Sequence, residues 1–162
     1  MSIQYLELIY LNISQCRQAH QKEILDSVHC QYKIILIDAC HSGESSLFYK
    51  KTGGKLSFSS DSPAVQALIS RSRGIVFGAA CRHDQSAYIS KDGRTSIWIG
   101  SIIEAINTYR SRGGFVFIDQ VLFDAVRSTI VRAQSEFGKE QTPYTAIKAE
   151  GVLGLGHASG RP

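Results

Sequence analysis

The sequence predicts an α/β fold built around a mostly parallel sheet. Two continuous apolar runs, at residues 34–37 and 75–80, are bulky on both faces, as in central strands covered by helices on either side. Segments with helical periodicity alternate with these runs, which is typical of a layered α/β sheet. With 162 residues and 43% hydrophobic composition, the chain is long enough for one such domain and too short for two ordinary ones.

Four segments have the apolar periodicity or the capping residues of helices: 13–29, 64–71, 96–109 and 119–134. Ser62 and Pro63 are expected to begin the second helix, and Asp119 to cap the fourth. The third helix is expected to bury one face made of Ile99, Ile102, Ile103 and Ile106.

The remaining segments are shorter or polar. Residues 115–118 and 144–148 are predicted to be extended, the latter as an edge strand. The first dozen residues are apolar and fit either a strand or a helix. Residues 44–61 are rich in Ser, Gly and Lys, which predicts a flexible surface loop, and the glycine-rich end of the chain predicts a flexible tail.

The strongest chemical signal lies where the first apolar run ends. Cys40 follows that run and precedes a polar turn that contains Gly43. Ligands of parallel sheets bind beyond the carboxyl ends of the strands, so we expect Cys40 to be a nucleophile at that edge. Its own N–H would be one oxyanion donor, and Gly43 would allow close backbone approach. The alternative is a buried structural cysteine, which the polar turn disfavours.

Asp-Ala-Cys-His-Ser-Gly at 38–43 resembles the nucleophile motif of the caspase-like cysteine peptidases, in particular the metacaspase branch and its bacterial relatives. Residues 74–88 with 101–106 are similar to the strand, specificity loop and helix of that family's small-subunit region. Gln-Thr-Pro at 141–143 resembles the family's C-terminal motif. The resemblance implies a caspase-like three-layer sandwich and cysteine-type endopeptidase activity on a peptide or protein substrate.

The resemblance also implies a domain organisation. A peptidase domain over residues 1–151 would lack its N-terminal part, and residues 152–162 would form the flexible tail. Within the domain we expect three parts: a nucleophile segment at 1–43, a linker loop at 44–62 and a small-subunit-like region at 63–151.

The histidine that the family uses as a base is not evident. It is expected about 50 residues before the cysteine, in a glycine-flanked turn after a strand, but only thirty-nine residues precede Cys40. Two upstream histidines lie in a helical pattern without flanking glycines: His20 and His29. His41 adjoins the nucleophile, and its side chain would point away. His83 is the better substitute base, and His157 is expected to be inert. An N-terminal segment or a partner chain would otherwise supply the base.

Two carboxylates are candidates for substrate binding. Asp38 lies two residues before Cys40 and so on the same face of the strand. By the resemblance, Asp38 and Asp84 border the first specificity pocket, which implies a preference for Arg or Lys. Capping of backbone N–H groups is the alternative role for Asp38. Self-processing is expected in the 44–61 segment, after Lys50, Lys51 or Lys55.

Composition excludes several other classes. The formal charge of +4 is spread along the chain, which disfavours nucleic acid as a partner. No apolar segment is long enough for a membrane span and no signal peptide is evident, so we expect a soluble, cytoplasmic protein that binds no membrane. The chain has four cysteines, at positions 16, 30, 40 and 81. Their spacing fits neither a zinc site nor a disulfide framework, so no metal and no cofactor are expected.

Two competing interpretations remain beside the peptidase. One is a catalytically incompetent caspase-like domain that binds partners or regulates an active relative. The other is an α/β binding module without peptidase ancestry, against which the 38–43 motif argues.

Overall fold

The computed structural model describes residues 6–11, 32–38, 49–52, 55–58, 73–82, 84–151 and 153–158. Within these ranges the strands are β1 (Leu6–Leu11), β2 (Tyr32–Ile37), β3 (Tyr49–Thr52), β4 (Lys55–Phe58), β5 (Gly74–Ala79), β6 (Gly114–Phe117), β7 (Tyr144–Ala149) and β8 (Gly154–Ala158). The helices are α1 (Ile97–Arg112) and α2 (Ile118–Phe137).

The main sheet has the strand order β1-β2-β5-β7. β1, β2 and β5 are parallel, and β7 adds to β5 in the antiparallel direction. Ile37 lies beside Leu11 on one side and Ala79 on the other, so three strands end together at one edge of the sheet. This mostly parallel sheet with helices is the α/β class that the sequence predicts.

β2 and β5 are apolar on both faces because both faces are buried. Ile34, Leu36 and Val76 belong to the core that α1 and α2 cover. Ile35 and Phe77 lie opposite each other on the other face, and both have no exposed surface. This explains the continuous apolar runs of the sequence. The predicted helices at 13–29 and 64–71 lie outside the described residues.

α1 begins with a side-chain cap, because the Ser96 hydroxyl accepts a hydrogen bond from the Ile99 N–H at 3.1 Å. Its buried face differs from the predicted one: Ile103 is 50% exposed, and the buried positions are Ile97, Trp98, Ser101, Ile102 and Ala105. The predicted stripe of isoleucines also has helical spacing, but it is displaced by one residue, or about 100° around the axis.

Trp98 determines that rotation of α1. Its indole is fully buried against the sheet at Gly78. A Cβ at position 78 would lie 2.9 Å from Leu36 Cδ2 and 3.1 Å from Trp98 Cζ2, so only glycine leaves room for the ring. Trp98 therefore packs directly on the centre of β5.

α2 runs antiparallel to α1 and is joined to it by polar contacts. Ser101 Oγ lies 3.3 Å from Ser128 Oγ, and the Tyr109 hydroxyl donates to Asp124 Oδ2 at 2.8 Å. That hydrogen bond raises the pKa of Tyr109 above its ordinary value. The prediction that Asp119 caps α2 is wrong: Phe117 is the N-cap residue and makes no side-chain cap, while Asp119 lies in the first turn. A carboxylate there still favours the helix dipole.

The shorter segments form strands. Residues 6–11, left open by the sequence, form β1, and the extended predictions at 115–118 and 144–148 correspond to β6 and β7. Part of the expected tail is ordered into β8, which pairs antiparallel with β6, and Leu155 of β8 packs against the core.

The expected linker loop contains a hairpin. β3 and β4 pair antiparallel, with Lys50 and Lys51 in β3 and Lys55 in β4. The description of this segment as a loop is therefore wrong at these three lysines. The reason is local, because Gly53-Gly54 between the strands is a dipeptide favoured in two-residue hairpin turns.

None of the helices in the described part of the chain is both long and apolar enough to cross a membrane.

The turn before α1 is tied to the end of α2. Glu136 accepts a hydrogen bond from Arg132 Nε at 2.9 Å and one from the Lys91 N–H at 3.4 Å. The arginine contact, followed by the Lys91 amide, lowers the pKa of Glu136 below its ordinary value.

We predict that Glu136→Gln makes the free energy of unfolding less sensitive to acidic pH. A carboxyl whose pKa is lowered by folding stabilises the fold above its ordinary pKa of 4.5 and loses this contribution as the pH falls further. The free energy of unfolding, measured by urea titration from pH 3 to 7, should therefore fall less steeply below that value in the variant, with a loss of up to about 1 kcal/mol at neutral pH. Glu140→Gln, at a nearby exposed glutamate, is the matched control. Equal curves for both variants would contradict the prediction.

Candidate active site

The carboxyl ends of β2 and β5 meet at one edge of the sheet. The pairing continues past β5, since the Ala80 N–H donates to the Ile37 carbonyl at 2.9 Å. Asp38 follows Ile37 at this edge and is half-buried. At Asp38, two residues before Cys40 in the sequence, the chain therefore lies beside the segment that follows β5. Cys40 and Gly43 themselves lie outside the described residues.

Gln141 holds the segment after β5 in place. Its side chain is 1% exposed and uses both ends of the amide. Nε2 donates to the Ala80 carbonyl at 2.9 Å, and Oε1 accepts from the Tyr88 N–H at 3.0 Å. One buried side chain thus fixes both ends of the loop at residues 80–88, which we call the edge loop.

Gln85 and Thr142 form a second clamp on the edge loop. Gln85 Oε1 accepts from the Thr142 N–H at 2.7 Å, and Gln85 Nε2 lies 3.4 Å from Thr142 Oγ1. The Gln85 N–H also donates to the Arg82 carbonyl at 3.1 Å, which closes a tight turn. The specificity-loop region at 74–88 and the Gln-Thr-Pro motif at 141–143 are therefore contact partners. Sequence reasoning missed this pairing because each motif was interpreted alone.

Cys81 has a structural role within the edge loop. It has no exposed surface, and its thiol donates to the Gln85 carbonyl at 3.2 Å. A buried thiol in such surroundings is typically inert toward electrophiles. Cys40 therefore remains the candidate nucleophile at this edge.

The two candidate carboxylates differ in exposure. Asp84 is exposed in the turn between Arg82 and Gln85, whereas Asp38 is half-buried at the end of β2. Both belong to segments that end at the same sheet edge. The substitute base candidate, His83, lies outside the described residues.

β1 precedes β2 in the sequence and lies beside it in the sheet, parallel to it. Leu11, its last residue, lies beside Ile37. The sequence that follows β1 is Asn12-Ile-Ser-Gln-Cys-Arg-Gln-Ala, and the first histidine after it is His20.

No group of three or more His, Cys, Asp or Glu side chains with metal-binding geometry is found in the described ranges. The described part of this edge contains a half-buried carboxylate, Asp38, and an exposed one, Asp84. It also contains the edge loop, which hydrogen bonds from Gln141 hold at both ends.

Comparison with known families agrees with this architecture. A profile described as the caspase domain, within a peptidase family, matches residues 10–149. The chain belongs to the caspase-domain family. The resemblance seen in the 38–43 motif is thereby confirmed, and the caspase domain supports a cysteine-type peptidase function at the level of the family. A comparison with curated proteins gives no match.

We predict that Gln141→Glu destabilises the caspase domain in a pH-dependent way. At neutral pH a buried carboxylate would face the Ala80 carbonyl and lose one hydrogen bond, at a cost of about 3 kcal/mol. When protonated, the new carboxyl can donate to Ala80 and accept from Tyr88 as the amide does. Burial raises its folded pKa above the unfolded value of about 4.3, so the deficit should be small below this pH and grow as the pH rises.

The free energy of unfolding from pH 3.5 to 8 measures this effect. Gln134→Glu, at an exposed glutamine on α2, is the matched control and should change stability by less than about 0.5 kcal/mol. A deficit that does not vary with pH would contradict the role given to the Gln141 amide.

Proposed function

We propose that this caspase domain is a cysteine endopeptidase that cleaves after Arg or Lys with Cys40 as nucleophile. The observation that carries the proposal is the parallel register of β2 and β5, which delivers Asp38 and the clamped edge loop to the same sheet edge. Cys40 follows Asp38 by two residues in the sequence, so the proposal puts the nucleophile beside one carboxylate and the clamped edge loop.

The proposed reaction is acyl transfer in two steps. The Cys40 thiolate attacks the peptide carbonyl carbon, and the Cys40 N–H is a donor to the resulting oxyanion. A histidine gives a proton to the leaving amine as the C–N bond breaks. Water then hydrolyses the thioester and restores the thiol. His83 is the candidate within the chain for the histidine, and a segment or partner chain is the other source.

The proposed specificity follows from the different exposure of the two carboxylates. Asp38 is half-buried, where a charge-assisted hydrogen bond to Arg or Lys is screened little by solvent. Asp84 is exposed, so its contribution is weaker. Asp38 would therefore anchor the substrate side chain, and Asp84 would attract it.

We predict that a peptidyl-Arg acyloxymethyl ketone labels Cys40 and spares Cys81. The reason is that Cys81 is buried with its thiol engaged, whereas Cys40 follows the edge of the sheet. Peptide mass spectrometry of the full chain locates the adduct. Cys40→Ala should abolish labelling and Cys81→Ala should retain it. Labelling of Cys81 in preference to Cys40 would refute the assignment.

We predict that Asp38→Asn slows inactivation by the peptidyl-Arg reagent by roughly tenfold or more, as expected for loss of a charge-assisted contact worth about 1.5–3 kcal/mol. Asp84→Asn should cost less than about 1 kcal/mol, because its carboxylate is exposed. The second-order rate constant is compared with that for a peptidyl-Leu reagent, which should change little.

Asp119→Asn, an exposed substitution in the first turn of α2, is the control for Asp38→Asn. Equal slowing with the Arg and Leu reagents would show instead that Asp38 maintains the end of the strand.

A second function is favoured by one observation, the position of β1. A strand beside β2 that is followed by eight residues without a histidine, Asn12 to Ala19, fits a caspase-like domain that binds peptides or regulates a relative without cleaving. Labelling of Cys40 with no measurable hydrolysis of Arg peptides would support this function, whereas turnover abolished by Cys40→Ala would exclude it.

Self-processing in the 44–61 segment remains part of the proposal. Lys50, Lys51 and Lys55 lie in paired strands, and a peptidase binds its substrate as a free extended chain. Cleavage at these lysines would therefore require the β3–β4 hairpin to open first.

A further inference from the structure

Gln85 closes the tight turn of the edge loop with both of its backbone groups. Its N–H donates to the Arg82 carbonyl at 3.1 Å, and its carbonyl accepts from the Cys81 thiol at 3.2 Å. Cys81 has no exposed surface, so this part of the turn is attached to the interior of the protein. The backbone is therefore held at Arg82 and at Gln85, on either side of Asp84.

The side chain of Gln85 is also used within the protein. Oε1 accepts from the Thr142 N–H at 2.7 Å, and Nε2 lies 3.4 Å from Thr142 Oγ1. Each polar atom of Gln85, in the backbone and in the side chain, thus has a partner in the protein. These contacts suit a residue that holds the turn rather than one that binds a substrate.

The segment that receives the Gln85 side chain is itself anchored. Thr142 lies between Gln141, which is 1% exposed, and Pro143, which is also buried. The Gln141 amide is hydrogen-bonded at both ends, and the proline ring fixes its own φ. Gln85 therefore ties the turn to a fixed part of the chain.

The demands of folding do not account for the Gln85–Thr142 contact. Both residues are half-buried, so water can hydrate the Thr142 N–H when its partner is removed. The contact is thus not needed to avoid an unpaired polar group in the core. It does determine where the turn lies, and Asp84 is the exposed residue that immediately precedes Gln85.

An exposed carboxylate depends on such support more than a buried one does. A surface ion pair contributes little, because solvent screens the charges and the side chains must be ordered. Fixing the backbone beforehand lowers that ordering cost. The support therefore matters for Asp84, which is exposed, more than for Asp38, which is half-buried at the end of β2.

We propose that Gln85 is a positioning residue for basic substrates. By holding the turn to Thr142, it presents the Asp84 carboxylate to the Arg or Lys side chain of the substrate. This role rests on the proposed function, in which Asp84 attracts that side chain.

The test compares the second-order rate constants for inactivation of the full chain by the peptidyl-Arg and peptidyl-Leu acyloxymethyl ketones. Gln85→Ala should slow the Arg reagent about threefold, as Asp84→Asn does, and leave the Leu reagent unchanged. The double variant should be no slower than the slower single variant, because both changes remove the same contact.

Gln85→Glu is the conservative variant. The Thr142 N–H and hydroxyl can both donate to the new carboxylate, so this variant should retain at least the wild-type rate with the Arg reagent. Gln134→Ala, at an exposed glutamine on α2, is the matched control and should change neither rate.

Four results would overturn this role alone: an Arg rate that Gln85→Ala leaves unchanged, equal slowing with both reagents, losses that multiply in the double variant, or a Gln85→Glu variant as slow as Gln85→Ala. Equal slowing with both reagents is the result expected of a merely structural glutamine. A wild-type chain that reacts equally fast with both reagents would instead contradict the proposed Arg or Lys preference, and this role with it.

Discussion

The backbone of Ala80 joins the parts of this molecule on which its candidate active site depends. Its N–H extends the pairing of β5 with β2 through the Ile37 carbonyl, and its own carbonyl accepts from the buried Gln141 amide. The first contact aligns the ends of two parallel strands, and the second attaches the following loop to the chain between α2 and β7. A polar contact buried at this depth must be satisfied, because an unpaired group would cost about 1–3 kcal/mol.

The two glutamines explain why motifs more than fifty residues apart in the sequence belong together. Gln141 holds the ends of the edge loop through Ala80 and Tyr88, and Gln85 holds its turn through Thr142. A loop that borders a binding site loses less conformational entropy on binding when it is already fixed. The clamps therefore favour a preformed substrate edge, whether the domain cleaves its ligand or only binds it.

The first and last turns of α1 have different surroundings. At its first turns, α1 is anchored by Trp98 under the sheet and by the Ser96 cap, close to the edge loop. At its last turns it borders a cavity of about 190 Å³ whose apolar lining includes Ile106, Val116 and Leu155. The β6–β8 pair that completes the cavity comes from residues with short, glycine-rich sequence, where periodicity carries little information.

The sequence by itself determined the α/β class, the two central strands and the caspase-like nucleophile motif. These follow from short-range patterns: continuous apolar runs for strands buried on both faces, and a cysteine with a polar turn after one of them. It did not determine which face of α1 is buried, because the isoleucine stripe ending in Ile106 and the stripe through Trp98 have the same period. Only packing of the indole on Gly78 decided between them. The tertiary structure also decided that β1 lies beside β2, that residues 154–158 pair with β6, and that Gln85 meets Thr142. Each of these is a contact between segments distant in the chain, which hydrophobic periodicity cannot encode.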